Sequence, residues 1–131
     1  FYTLCKEIEK RTTINSQSLL LKLIKMERES GSGIGQGIAI PHLKISGLDK
    51  PFTALVHLGK LIDFNGVDGE PVDLVCLVLS PQKDNIRHLQ RLAAFSRLMT
   101  QSYICKGLRK ANNQYEMRQA LIASTINKLA A

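Results

Sequence analysis

The chain has no tryptophan, and only three tyrosines and four phenylalanines among its 131 residues. Basic and aromatic residues do not interleave in the basic region after residue 82, so it lacks the pattern of a nucleic-acid-binding surface. Cysteine is equally sparse. Cys5, Cys76 and Cys105 are scattered, odd in number and without CxxC spacing. That excludes a disulfide frame or a zinc site and points to reduced, buried thiols in a cytoplasmic protein. No apolar run approaches the roughly 18 residues that span a bilayer. The longest, around Leu19–Leu21 and Val75–Leu79, are far shorter, so membrane insertion is not expected. Phe1 to Lys10 is mixed and charged and does not read as a secretory leader. No HExxH, HxH or paired Cys/His spacing offers a metal site, and no cofactor motif is present. No GxSxG appears, and Ser30, Ser32, Ser80 and Ser96 carry no triad signature. Acidic residues stand singly, which excludes a two-carboxylate hydrolase. Internal repeats, low-complexity tracts and Pro-rich linkers are absent.

What is present is an ordinary globular balance, 44% hydrophobic and 22% charged. The length predicts one domain over residues 1–131, large enough to fold without disulfides or metals. The net charge of +7 is unevenly placed. Residues 1–82 are neutral, and the whole excess follows residue 82. Such a surface suits nucleic acid, an acidic membrane or an acidic protein. Without a recognition motif the nucleic-acid reading fails, and solvated helix faces are the plain account.

Along the chain, Phe1–Arg11 is mildly amphipathic. Ser16 is placed to cap a helix over Gln17–Arg28, where Leu19, Leu20, Leu23 and Ile24 recur near helical spacing. Gly31, Gly33, Gly35 and Gly37 end that helix and open a loop. Ile38 to Ile40, bounded by Gly37 and Pro41, reads as a short buried strand. Phe52–Leu58 reads as a second, with Lys60–Phe64 continuing it or forming its hairpin partner. Asn65-Gly66 and Asp68-Gly69 are turn dipeptides. Val72–Leu79 is nearly all apolar, as a central strand covered on both faces would be. Asp84 or Asn85 caps a helix to about Met99, with Ile86, Leu89, Leu92, Ala93 and Met99 on its apolar side. Helices over Ser102–Arg109 and Gln114–Leu129 follow. Helices, strands, then helices, without regular alternation, predict a mixed sheet covered by helices rather than a Rossmann fold.

The glycine run is not a nucleotide loop. Its spacing is not GxGxxG, it follows a helix, and no GK[ST] is present. Of three histidines, His42 stands at the end of the short Ile38–Ile40 strand, held by Pro41 and the glycine loop. That position suits a reacting group working near neutral pH; a loop histidine bonded to a carbonyl is the alternative. His88 lies at the edge of the apolar side of its helix, with Arg87 and Arg91 beyond it. It reads as a boundary residue, or as one that holds a phosphate oxygen. His57 lies inside a strand and reads as structural or solvent-facing.

The run Ser32-Gly-Ile-Gly-Gln-Gly-Ile-Ala-Ile-Pro-His42 closely resembles the active-site segment of type-2 (fructose/mannitol-type) enzyme IIA proteins of the phosphoenolpyruvate-dependent phosphotransferase system. It is most similar to the nitrogen-regulatory branch. Leu61 to Leu74, Val75–Pro81, and His88-Leu89 with Leu92 and Ser96-Arg97-Leu98 resemble further family segments in order. The resemblance covers roughly residues 15 to 127. It implies an α/β fold, a mixed, about five-stranded sheet flanked by helices on both faces. It implies that His42 accepts a phosphoryl group from the phosphohistidine of an HPr-like phosphocarrier (NPr), and that His88 stabilises it. Gly33, Gly35, Gly37, Arg28, Arg87 and Arg91 are candidate phosphoryl-binding residues. Regulated target proteins are the further partners, with no nucleic acid, metal or cofactor. A sugar-specific enzyme IIA feeding an enzyme IIB, and a non-catalytic interaction module on the same fold, are the alternatives.

Two positions depart from the family pattern. Met26-Glu27 stands where an Arg-Glu pair is usual, with Arg28 two positions late. Arg28, Arg87 or Arg91 would then supply the positive charge. Leu43 follows His42 where Gly is common, so its side chain is expected to narrow access to His42 or to join a partner interface.

Overall fold

The computed structural model describes residues 1–62 and 70–130. The expected turns at Asn65-Gly66 and Asp68-Gly69, and the end of the Lys60–Phe64 segment, lie outside the described residues. The chain groups into two compact units, Phe1–Ala93 and Ala94 onward. The first holds α1 (Tyr2–Arg11), α2 (Ser16–Ser30), β1 (Gly33–Gly35), β2 (Ile38–Ala39), β3 (His42–Ile45), β4 (Phe52–Ile62), β5 (Val72–Pro81) and the first half of α3 (Asn85–Met99). The second holds the rest of α3, then α4 (Ser102–Lys110) and α5 (Gln114–Ala130).

α2 begins one residue later than its cap, and the cap is Asn15 rather than Ser16. Asn15 is extended (φ −72°, ψ 127°), and its Oδ1 accepts from the Ser18 backbone N–H at 3.0 Å. Ser16 is the first helical residue and is buried. Either side chain suits the position; the backbone places Asn15 there. Asn15→Ala is expected to cost about 1 kcal/mol, read from urea denaturation. Asn15→Asp, an equally good cap, should stay near wild type.

The glycine run that ends α2 builds a hairpin. Gly31 leaves the helix at φ 60°. Gly35, Gln36 and Gly37 then take φ values of 99°, 58° and 79° to turn β1 into antiparallel β2. Glycine is the residue for such a turn because L side chains rarely adopt these angles.

β5 is central. β4 pairs antiparallel along one edge, from Phe52 opposite Leu79 to Ile62 opposite Val72. β2 and β3 both pair parallel with β5, at Leu74–Val75 and at Val78–Pro81 respectively, so they share the other edge. The five strands form one mixed sheet. Pro41 has no N–H to give, which is why the ladder breaks between β2 and β3. Its carbonyl accepts from the Val78 N–H at 2.9 Å and keeps the chain on the edge of β5. His42 is therefore the first residue of β3 rather than the last of the preceding strand.

All of β5 except Asp73 is buried. Alternate residues Leu77 and Leu79 join Ile45, Cys5, Ile8, Leu19 and Leu23 in one core, so α1 and α2 cover that face. On the other face, α3 reaches the end of β5 through Ser80. The expected apolar side of α3 is buried only in part: Met99 is buried and Leu92 half-buried, but Ile86 is 73% and Leu89 66% exposed and Ala93 is also exposed, while His88, expected at its edge, is buried. In the second unit α4 meets α5 at Gly107, where a Cβ would come within 3.0 Å of the Ala120 Cβ.

Cys5, Cys76 and Cys105 are buried, as the sequence suggests. Burial pushes the Cys76 thiol up to about 12, which leaves it protonated and inert. Among the described residues no helix is long and apolar enough to cross a membrane.

Candidate functional site

The site is assembled at the β3 edge of β5. His42 pairs with Val78 and Lys44 with Ser80. Residues paired across a parallel ladder project to the same face, and alternate residues share it. His42, Lys44 and Ser80 therefore lie on the face opposite α1 and α2. The turn at Gln82 to Asp84 brings α3 back toward this group.

His42 is half-buried, and its Nδ1 lies 2.9 Å from the Ile40 carbonyl oxygen. A carbonyl only accepts, so Nδ1 carries the proton and Nε2 keeps the lone pair. The tautomer is fixed by backbone, and that backbone is itself held. The Ile40 N–H donates to the Ser32 carbonyl at 2.8 Å. Ser32 in turn is clamped by Glu27, whose carboxylate accepts from its backbone N–H at 3.0 Å and from its hydroxyl at 2.6 Å.

The His88 ring stands beside His42, with centroids 5.6 Å apart and planes tilted by 49°. His88 is 7% exposed, and its Nδ1 lies 2.7 Å from Ser80 Oγ. Arg91 Nη1 donates to the same Oγ at 2.6 Å, and Arg91 Nη2 donates to Asp84 Oδ2 at 2.7 Å. Asp84, the residue before α3, is spaced i, i+4, i+7 with His88 and Arg91, and its carbonyl accepts from the His88 N–H at 2.9 Å, so the three line up on one side of the helix start. Lys44 Nζ donates to Asn85 Oδ1 at 2.6 Å, tying β3 to the start of the helix.

The His88 pKa lies below its ordinary value, first because burial disfavours the charged ring, then because His42, Lys44 and Arg91 repel added charge. The folded protein thus binds this proton more weakly than the unfolded chain does. Stability from this group is complete above the unfolded value of about 6.5 and is lost as pH falls through the folded one. Urea titrations between about pH 7 and pH 5 should show a steeper loss for wild type than for His88→Gln, which takes up no proton there.

The remaining sequence candidates are placed as follows. Gly33, Gly35 and Gly37 lie in the β1–β2 hairpin; among the described contacts no hydrogen bond joins them to either imidazole, and the Gly37 carbonyl accepts from Asp73 and Leu74. Arg28 in the last turn of α2 and Arg87 on α3 are exposed. Of these three arginines, Arg91 alone is tied to a histidine among the described contacts, and through Ser80. Leu43 does not narrow access to His42: it points to the opposite face and packs on the core of Leu77 and Leu79. Met26 packs on that same core, an apolar filler where the family pattern has a cation. His57 pairs with Asp73 across β4 and β5, with Nε2 3.6 Å from Oδ2.

Ser80, Asp84, Lys44, Glu27 and Ser32 belong to the arrangement although the sequence did not mark them as site residues. The i, i+4, i+7 line on α3 was the available signal for Asp84. Nothing local pairs Ser80 with His88, eight residues on.

The pair of tilted imidazoles can do nucleophilic chemistry at His42 Nε2 with a neutral hydrogen-bonding ring beside it. Residues 1–124 match the family model described as "Phosphoenolpyruvate-dependent sugar phosphotransferase system, EIIA 2". The chain is 32% identical over 108 residues to the nitrogen regulatory protein of Pseudomonas aeruginosa, covering 82% of this chain and 70% of that one. It is 37% identical over 99 residues to that of Bradyrhizobium diazoefficiens, covering 76% and 65%. The crystal structure of nitrogen regulatory protein IIA-Ntr from Neisseria meningitidis superimposes with a TM-score of 0.79 at 26% identity, over 86% of this chain and 77% of that one. The described chain thus spans about two thirds to three quarters of these relatives.

Proposed function

The chain belongs to the phosphoenolpyruvate-dependent sugar phosphotransferase system EIIA 2 family, and on that premise we propose that it is a phosphoryl-carrying regulator of the nitrogen-regulatory type, charged on His42. The observation that carries this reading is the tautomer of His42. Its Nδ1–H is spent on the Ile40 carbonyl, so Nε2 presents an unprotonated lone pair beside His88. The donor is the phosphohistidine of an HPr-like phosphocarrier. His42 Nε2 attacks phosphorus in line; a new P–N bond forms there, and the bond to the carrier's imidazole breaks with its electron pair returning to that nitrogen. No cofactor enters the step. His88 donates a hydrogen bond to the phosphoryl oxygens, and the Ile40 carbonyl stabilises the imidazole as it gains positive character. Residues 1–131 act as one domain in the cytoplasm, and the charged or uncharged state of His42 sets binding to target proteins. The nitrogen-regulatory relatives favour this over a sugar-specific role.

The test is incubation with phosphoenolpyruvate, enzyme I and an HPr-type carrier. The expected product is an acid-labile phosphoryl group, with NMR placing phosphorus on Nε2 of His42. Failure to take up label from any HPr-type carrier would replace this reading with a non-catalytic interaction module.

A further inference from the structure

Resting on that reading, we propose that Asp84, Arg91 and Ser80 are a positioning chain that holds His88 in its Nε2–H tautomer, so that His88 offers a donor, and not a lone pair, to the group on His42. The argument is one of proton accounting. Arg91 is a donor at every nitrogen, so Ser80 Oγ must accept at its 2.6 Å contact. Ser80 is fully buried, and its hydroxyl has one hydrogen to place. Among the described contacts its remaining partner is His88 Nδ1 at 2.7 Å. If Nδ1 carried a proton and donated, Oγ would accept twice and its own hydrogen would be buried without an acceptor. That arrangement is penalised, because a buried hydroxyl hydrogen without an acceptor costs its full desolvation. The hydroxyl therefore donates to Nδ1, and the neutral ring carries its hydrogen on Nε2.

Asp84 completes the chain. It accepts from Arg91 Nη2 and aims the guanidinium so that Nη1 meets Ser80. The pair is largely removed from water, with side chains 20% and 13% exposed, so its geometry is held more firmly than that of a surface ion pair. Arg91 is thus committed on two nitrogens and acts on the site through Ser80 and His88. The same hydrogen bond opposes rotation of the His88 ring. The two imidazoles then have opposite tautomers by opposite means: a carbonyl forces Nδ1–H on His42, and a hydroxyl forces Nε2–H on His88.

Nitrogen-15 shifts of the His88 ring at alkaline pH read the tautomer directly, with no phosphoryl donor present. The Nε2–H form is expected in wild type, a mixture in Ser80→Ala, and restoration in Ser80→Thr, which keeps the hydroxyl. Arg91→Ala and Asp84→Asn should also shift the populations. Phosphoryl acceptance by Ser80→Ala should slow about three- to tenfold, the effect of one hydrogen bond, while the final extent of labelling is unchanged. An Nδ1–H tautomer in wild type, or unchanged shifts in Ser80→Ala, overturns the proposal. The two readings fail separately. Wild type that takes no phosphoryl group yet shows the expected tautomer response loses the function and keeps the positioning chain. Normal labelling with the opposite tautomer keeps the function and loses the chain.

Discussion

His42→Ala is expected to accept no phosphoryl group from an HPr-type carrier under conditions that label wild type fully. Loss of a covalent nucleophile lowers rates by on the order of 10⁶, because the neighbouring groups have nothing to act on. His57→Ala should label like wild type, since its imidazole is engaged with Asp73 on the β4 side of β5. Refolding is not the explanation for the loss. His42 is half-buried, and its described hydrogen bond is to the Ile40 carbonyl, so alanine should lower stability by about 1 kcal/mol, visible as a small shift in the urea midpoint. A His42→Ala protein that still takes up an acid-labile phosphoryl group would move the site elsewhere. His88→Ala is a weaker change, because it removes a stabilising donor and leaves the nucleophile.

The largest expected effect on stability is at Leu77. This side chain is fully buried on β5, between the sheet and the pair α1 and α2, in contact with the cluster of Cys5, Ile8, Leu19, Leu23, Ile45 and Leu79. Leu77→Ala removes transfer free energy and leaves a cavity that rigid neighbours close incompletely, costing about 2–5 kcal/mol. Against a typical total of about 5–15 kcal/mol this is a large share. The urea midpoint should fall with an unchanged slope. Leu21→Ala, on α2 but 68% exposed, should stay within about 0.5 kcal/mol of wild type. Equal effects at the two leucines would show that the α1–α2 face is not the core described.

The difference between these leucines was partly legible without coordinates. Helical spacing marks Leu19 and Leu23 as one side of α2, and both are buried. Val72 to Leu79 reads as a central strand because residues covered on both faces show no polar alternation, and β5 does have strands on both edges. α3 shows where such reading fails. A wheel drawn from apolar residues alone puts Ile86 and Leu89 inward, yet both face out and His88 is buried. The wheel counts a histidine as polar, and it has no knowledge of a serine on β5 that satisfies the ring. Hydrophobicity favours burial of a side chain only in proportion to what its neighbours offer, and for His88 the offer came from another element.

β3 was missed for a related reason. His42 to Ile45 is short, carries a lysine and follows a proline, so no local preference marks it as a strand. It becomes one because β5 has an open edge beyond β2, and because Pro41, unable to donate, still accepts from Val78 and keeps the register. The consequence for Leu43 follows at once. Adjacent residues of a strand point to opposite faces, so placing His42 toward Ser80 sends Leu43 into the core.

By itself the sequence marked candidates and a core: one histidine after a glycine-rich loop and a proline, another on a later helix, buried thiols, and a strand apolar enough to be central. These are properties of composition and near-neighbour spacing, and they survive without coordinates. Only the tertiary structure decided which hydrogen-bond partners the histidines meet. Which nitrogen of His42 holds the proton depends on a carbonyl two residues away whose own position is set by Ser32 and Glu27. Which nitrogen of His88 holds it depends on Ser80, Arg91 and Asp84. Hydrogen bonds act over about 3 Å, and the sheet and the turn into α3 bring such groups together, with β3 reaching Asn85 from 41 positions away and Ser80 reaching His88 from eight.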